Sequence, residues 1–201
     1  GYGKGYTDFE TEVRDVEADA KNVTVTASVK NIGGTFAGKE VVQVYYSAPD
    51  GTIEKPYQEL GGFGKSDLLS PGESQTITIS FPTRSMASYD EKKAAWVLEK
   101  GFYGIFLGNS LESANLTFGL QLDQDAVLEK VKNLFPLKDA LKELEQPAGA
   151  TCKREAVQAA LARSKQLPVL ELKAAEFKTK EIVYRKNSEL AAPEAMEFVN
   201  T

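Results

Sequence analysis

The sequence predicts a mainly β protein, with an immunoglobulin-like antiparallel β-sandwich over residues 1–122 and a mostly helical extension or linker over residues 123–201. Three observations predict it. Up to about Gln121, apolar and polar residues alternate with a period of two, as strands with one buried face require. Clusters of Gly, Pro, Asn and Asp punctuate those runs at short intervals. Beyond Asp123 the apolar residues take a helical spacing instead.

Strands are expected over residues 6–16, 23–29, 39–47, 58–64, 74–81, 102–108 and 114–122. In the second, Val23, Val25, Ala27 and Val29 face one way while Thr24, Thr26 and Ser28 face the other. In the fifth, Ile77, Ile79 and Phe81 alternate with Thr76, Thr78 and Ser80. The last sets Leu116, Phe118, Leu120 and Leu122 on one side. Turns fall at Asn31 to Gly34, Pro49-Asp50-Gly51, Gly61-Gly62 and Ser70-Pro71-Gly72, where Gly supplies positive φ and Pro presets the bend. Seven short strands so separated suggest a two-sheet sandwich. The only cysteine, Cys152, cannot bridge two sheets, so the fibronectin type III-like variant fits better than an antibody-like one.

In the tail, Leu128, Val131, Leu134, Leu141 and Leu144 recur at helical intervals broken by Pro136, which predicts two short helices between residues 123 and 145. A third is expected over residues 153–166, with Thr151 as N-cap and Pro168 past its end. Residues 169–172 form a short apolar run, residues 181–185 are a candidate strand, and Pro193 begins a candidate terminal helix. The tail holds 13 acids and 13 bases, against 16 acids and 11 bases in the first 122 residues. That shift in charge and period supports a boundary.

Composition narrows the function. With 29 acidic and 24 basic residues the net charge is −5, which speaks against nucleic-acid binding, since phosphate attraction needs a basic face. No apolar run approaches the roughly 18 residues of a membrane-spanning helix, so no membrane partner is expected. The chain contains no histidine, which excludes a His-based triad or imidazole general base within it. No cofactor or metal site is expected. The absence of a signal segment and the single cysteine slightly favour the cytoplasm. The chain begins at Gly1, as a piece of a longer protein would.

Several candidate motifs have blander readings. Gly1, Gly3 and Gly5 lack the preceding strand and following Lys-Ser/Thr pair of a phosphate loop. The Asn22-Val-Thr24 and Asn115-Leu-Thr117 sequons lie on expected strands, where Thr is common. Asp90 and Glu91 follow Tyr89 and are expected on a surface loop around a buried Trp96, since adjacent carboxylates rarely flank a sugar at the required separation of about 5 to 9 Å. Tyr45, Tyr46, Tyr57, Phe63 and Trp96 could offer a sugar-stacking platform, but Tyr45 and Tyr46 alternate in one strand, and core or interface roles are favoured. Tyr57, Tyr89 and Trp96 remain as candidate interface or sugar contacts, and no catalytic residue is assigned.

The order of motifs is more telling. "GYGKGYTDFE", "VTVTASVKNIGGTFAGKEVVQVYYSAPDG", "EKPYQELGGFGKSDLLSPGESQTITISF" and "SYDEKKAAWVLEKGFYGIFLGNS" together resemble the fibronectin type III-like domain of glycoside hydrolase family 3 enzymes, over about residues 1–122. Glu59, Leu60, Gly62 and Phe63 match the family's "EL.GF" stretch, in which Phe63 is expected to plug the sandwich. Leu69, Pro71, Gly72 and Glu73 match the turn that follows, and Trp96 matches a Trp placed before the penultimate strand.

The resemblance implies a parent that is a retaining β-glucosidase-like exo-glycosidase acting on β-linked glucosides, xylosides or similar sugars. Its Asp nucleophile would lie on a (β/α) barrel and its acid/base Glu on an α/β sandwich domain, both outside this chain. Lys65-Ser66-Asp67 is similar to the family's "KSDW"-like nucleophile motif, but Leu68 replaces Trp and the tripeptide lies inside the sandwich pattern, so Asp67 is read as a decoy. The tail would then connect to a barrel, as in permuted members of the family. The leading expectation is a non-catalytic module that buttresses the parent's barrel and α/β domains or a subunit contact, including a homo-oligomer formed through the parent. The alternative is a carbohydrate-binding sandwich.

Overall fold

The computed structural model describes residues 5–132 and 167–182. Among them, twelve strands form in chain order: β1 (Phe9–Ala18), β2 (Asn22–Asn31), β3 (Val41–Ser47), β4 (Glu59–Lys65), β5 (Ser74–Pro82), β6 (Ser88–Asp90), β7 (Ala95–Leu98), β8 (Gly101–Gly108), β9 (Asn115–Leu122), β10 (Ala126–Lys130), β11 (Val169–Leu172) and β12 (Lys180–Glu181). They build a three-stranded sheet β1-β2-β5, a five-stranded sheet β11-β9-β8-β3-β4 and a four-stranded sheet β12-β10-β7-β6. All seven expected strands form, with ends shifted by a few residues.

The first two sheets face each other. Val23, Val25, Ala27 and Val29 of β2 are wholly buried, and Ile77, Ile79 and Phe81 of β5 join them from the same sheet. Opposite them stand Val42, Val44 and Tyr46 of β3, Tyr103, Ile105 and Leu107 of β8, and Phe118, Leu120 and Leu122 of β9. Tyr46 stacks on Phe81 across the interface, ring centroids 6.2 Å apart and 18° from parallel. Each such side chain contributes about 1.5–3 kcal/mol when removed from water, so this alternation drives the two sheets together. The outer face of β2 and β5 is hydroxylated, with Thr24 and Ser80 oxygens 3.0 Å apart and Thr26 and Thr78 oxygens 3.3 Å apart.

One buried polar residue ties the loops to this core. Asn31, with no exposed surface, donates from Nδ2 to the carbonyls of Phe36 (3.0 Å) and Leu69 (2.9 Å). Its Oδ1 accepts from the Thr7 hydroxyl (2.6 Å) and the Gly33 amide (3.0 Å). The turn beginning at Asn31 is therefore a clamp as well as a bend.

Three expectations are corrected, and one apolar run left without an element is assigned. Residues 126–130 form a strand rather than the start of a helix: β10 runs antiparallel to β7 and buries Ala126 and Leu128 in the common core. Leu128 and Val131 fit a helical step by chance, and pairing with an open strand edge overrides it. The apolar run 169–172 is a strand too, parallel to β9, with Leu172 in the core. Leu116 does not share a face with Phe118, because a register shift opposite Ile105/Phe106 inserts Thr117 and turns Leu116 outward beside Phe106. Residues 88–98 form the β6–β7 hairpin rather than a loop, and Trp96 is 43% exposed rather than buried. The helices expected over residues 153–166 and after Pro193, and the remainder of those expected before residue 145, lie outside the described residues.

Phe63 also departs from expectation. It is 67% exposed, and β4 explains why. A Cβ on Gly61, Gly62 or Gly64 would come within 2.9 Å of Phe81, 3.0 Å of Ile79 or 2.7 Å of Ile77. The strand therefore turns bare backbone toward β5, and its large side chains are left to the outside.

Candidate functional site

The carboxylates are arranged for structure. Asp90 closes the β6–β7 hairpin, accepting the amides of Lys92 and Lys93 (both 3.0 Å) and pairing with the Lys93 ammonium at 3.3 Å. The Lys93 amide, against an opposing desolvation, holds its carboxyl below the usual range. Asp19 accepts the amides of Asn22 and Lys21 at 2.7 Å each and is lowered by them. Asp67, read as a decoy, accepts from the Gln75 amide at 2.9 Å, while the Gln75 carbonyl takes the Asp67 N–H at 2.7 Å. That pairing staples the turn before β5.

Glu99, just after β7, is buried and reaches the connection between β3 and β4. It accepts the Thr52 amide and hydroxyl at 2.7 Å each and pairs with the Lys55 ammonium, which also donates to the carbonyls of Pro49 (3.2 Å) and Ile53 (3.0 Å). Burial pushes the Glu99 carboxyl up, but the bonds from Lys55 and Thr52 outweigh it and hold the group at about 2. Glu99's own carbonyl accepts the Tyr103 hydroxyl at 2.8 Å. Nothing in the sequence announced this network, because its members lie 44 to 47 residues apart and are ordinary surface types.

Of the three candidate contact residues, the structure brings two together. Tyr89 and Trp96 are cross-strand partners in the β6–β7 hairpin, with ring centroids 5.7 Å apart and planes 55° apart. Trp96 in turn stands opposite Glu129 of β10, whose carboxylate pairs with Arg84 at 2.9 Å. Tyr57 lies in the β3–β4 connection, partly buried and with its hydroxyl raised by desolvation; it is in none of the ring pairs among the described residues. The wider platform of Tyr45, Tyr46, Tyr57, Phe63 and Trp96 does not form as one surface, since Tyr46 points into the core and Tyr45 points out. No group of three or more metal-ligating side chains occurs among the described residues.

Known proteins are similar to this chain over its sandwich. The family model of the fibronectin type III-like domain matches residues 40–111. β-Glucosidase A of Butyrivibrio fibrisolvens is 42% identical over 153 residues, covering 66% of this chain and 18% of its own. An exo-α-(1→6)-L-arabinopyranosidase of Bifidobacterium longum is 38% identical over 126 residues, covering 62% of this chain and 16% of its own. The crystal structure of a β-glucosidase from Paenibacillus barengoltzii superposes with a TM-score of 0.61 at 38% identity, over 65% of this chain and 16% of that one. This chain thus spans less than a fifth of the length of these relatives. The motif resemblance is borne out: the β-sandwich carries a fibronectin type III-like domain similar to the one found within β-glucosidases.

Proposed function

We propose that the chain is a non-catalytic structural module of a β-glucosidase-like glycoside hydrolase, buttressing the catalytic domains or a subunit interface. The observation that carries this is the direction of the carboxylate shifts. Among the described residues the carboxyls whose acidity the fold alters are Asp19, Asp90 and Glu99, and all three are lowered, whereas a glycosidase's proton-donating acid must be raised. Each is also consumed by internal hydrogen bonds. Support comes as well from relatives whose names give two different sugar specificities yet which share this segment, as a part that does not choose the sugar would be shared. The chain is expected to show no turnover of aryl β-glucosides or β-xylosides, while the full-length protein that contains it hydrolyses them. Turnover by the isolated chain above background overturns the proposal.

One observation favours a carbohydrate-binding reading as a second possibility: the partly exposed Tyr89–Trp96 pair beside the Arg84–Glu129 ion pair combines an aromatic face with hydrogen-bonding groups. Titration with cello-oligosaccharides distinguishes the two, since saturable binding lost in Trp96→Ala supports binding and a flat titration supports the buttress.

A further inference from the structure

The two outer faces of the sandwich are chemically opposite. Outside β2 and β5 stand Thr and Ser, and on β1 Glu10, Glu12 and Glu17 continue that wet surface beside Lys30, Ser28 and Thr24. Outside the five-stranded sheet, Leu60 of β4, Tyr45 of β3, Phe106 of β8 and Leu116 of β9 lie in cross-strand register, forming one uncharged row across four adjacent strands. Register shifts in β4 and β9 are what bring Leu60 and Leu116 onto this row. Leu60 is 51% exposed, and Phe63 stands on the same strand at 67%. Scattered apolar side chains need no explanation, but a row built by two irregularities, on an edge strand whose inward positions are glycine, concentrates them.

We propose that this face, centred on Leu60 and Phe63, is the surface on which the catalytic remainder of a β-glucosidase-like chain docks. The inference rests on the structural-module reading above and names its contact. The occupant follows from length. The relatives devote more than four fifths of their chains to parts outside this segment, and of the two outer sheet faces of the sandwich one carries this apolar row while the other is hydroxylated and charged. Such contacts pack at their centre as densely as a protein interior and are depleted of charged side chains there, which favours the uncharged row over the wet face. Phe63, shut out of the sandwich by the β4 glycines, becomes the plug of a neighbouring pocket instead.

Hydroxyl-radical footprinting of this chain and of the full-length protein that contains it tests the inference. Oxidation of Phe63 is expected to fall on the order of ten-fold in the full-length protein, the ratio of its present 67% exposure to the 5% of Phe106. Phe63→Glu is expected to leave the melting temperature of this chain within about 2 °C and to lower that of the full-length protein by more than that. A full-length β-glucosidase in which Phe63 oxidises as fast as in this chain overturns the docking face while leaving the module reading intact. A full-length protein with no catalytic domain overturns both. Concentration-dependent protection of Phe63 in this chain alone assigns the face to a second copy and overturns the proposal.

Discussion

Lys55 and Glu99 form an ion pair whose side chains are only 5% and 6% exposed, and the pair fastens the β3–β4 connection to the end of β7. A charge so buried is tolerated only because every remaining hydrogen-bonding position is filled, by Thr52 on one side and by the Pro49 and Ile53 carbonyls on the other.

Removing one partner strands the other. Glu99→Ala, which leaves Lys55 without its counter-ion, is expected to cost about 3–5 kcal/mol, read as a lowered urea midpoint at unchanged slope. The double variant Glu99→Leu/Lys55→Met is expected to recover most of that loss. A single variant within 0.5 kcal/mol of the parent, on the order of an ordinary surface change, contradicts the role given to the pair.

The same pair sets an acid limit. Glu99 is held at about 2, below its ordinary 4.5, so it contributes stability that is complete above the ordinary value and is lost as pH falls through about 2. Asp19 and Asp90, also lowered, act in the same direction. Melting temperature measured from pH 6 to about 2 is expected to decline below about 4.5, and Glu99→Gln is expected to flatten that decline.

Asn31 is expected to be as sensitive as any core apolar residue. Asn31→Ala leaves the Phe36 and Leu69 carbonyls without their donor, a cost of about 1–3 kcal/mol for each buried group. Asn31→Asp keeps the acceptor for Thr7 and Gly33 but loses the donor, so it is expected to destabilise as well. Equilibrium unfolding of the two variants separates this clamp from a simple turn, at which Asp would be tolerated.

On β4, glycine and phenylalanine exchange their usual importance. Phe63→Ser is expected to change the stability of this chain by about 0.5 kcal/mol or less. Gly64→Ala, whose Cβ would meet Ile77 at 2.7 Å, is expected to cost about 1–3 kcal/mol through overpacking. Chemical denaturation of both variants checks the inversion.

The strands with one buried face were legible in the sequence because β2 and β5 obey a period of two without interruption, so their core residues could be named from pattern alone. Leu116 could not be placed, because a single inserted residue flips a face without leaving a compositional mark. Phe63 was misplaced because its direction is decided by Ile77, Ile79 and Phe81 of another strand, against which only glycine fits. β10 and β11 could not be assigned as strands because three apolar residues in a run of four or five do not distinguish strand from helix until a partner edge is present. The Tyr89–Trp96 contact could have been suspected from the Asp90 turn between them, since a carboxylate two and three residues before free amides marks a tight reversal. The Lys55–Glu99 pair had no local signal at all.

The parallel seating of β11 on β9 bears on where the polypeptide can be cut. A fragment ending at Leu122, the point at which the alternating pattern stops, would forfeit Ala126, Leu128 and Leu172 and bare the backbone of β9 along residues 119–122. Such a truncation is expected to recruit strands from its neighbours and precipitate on expression, whereas one reaching residue 182 keeps that flank sheathed.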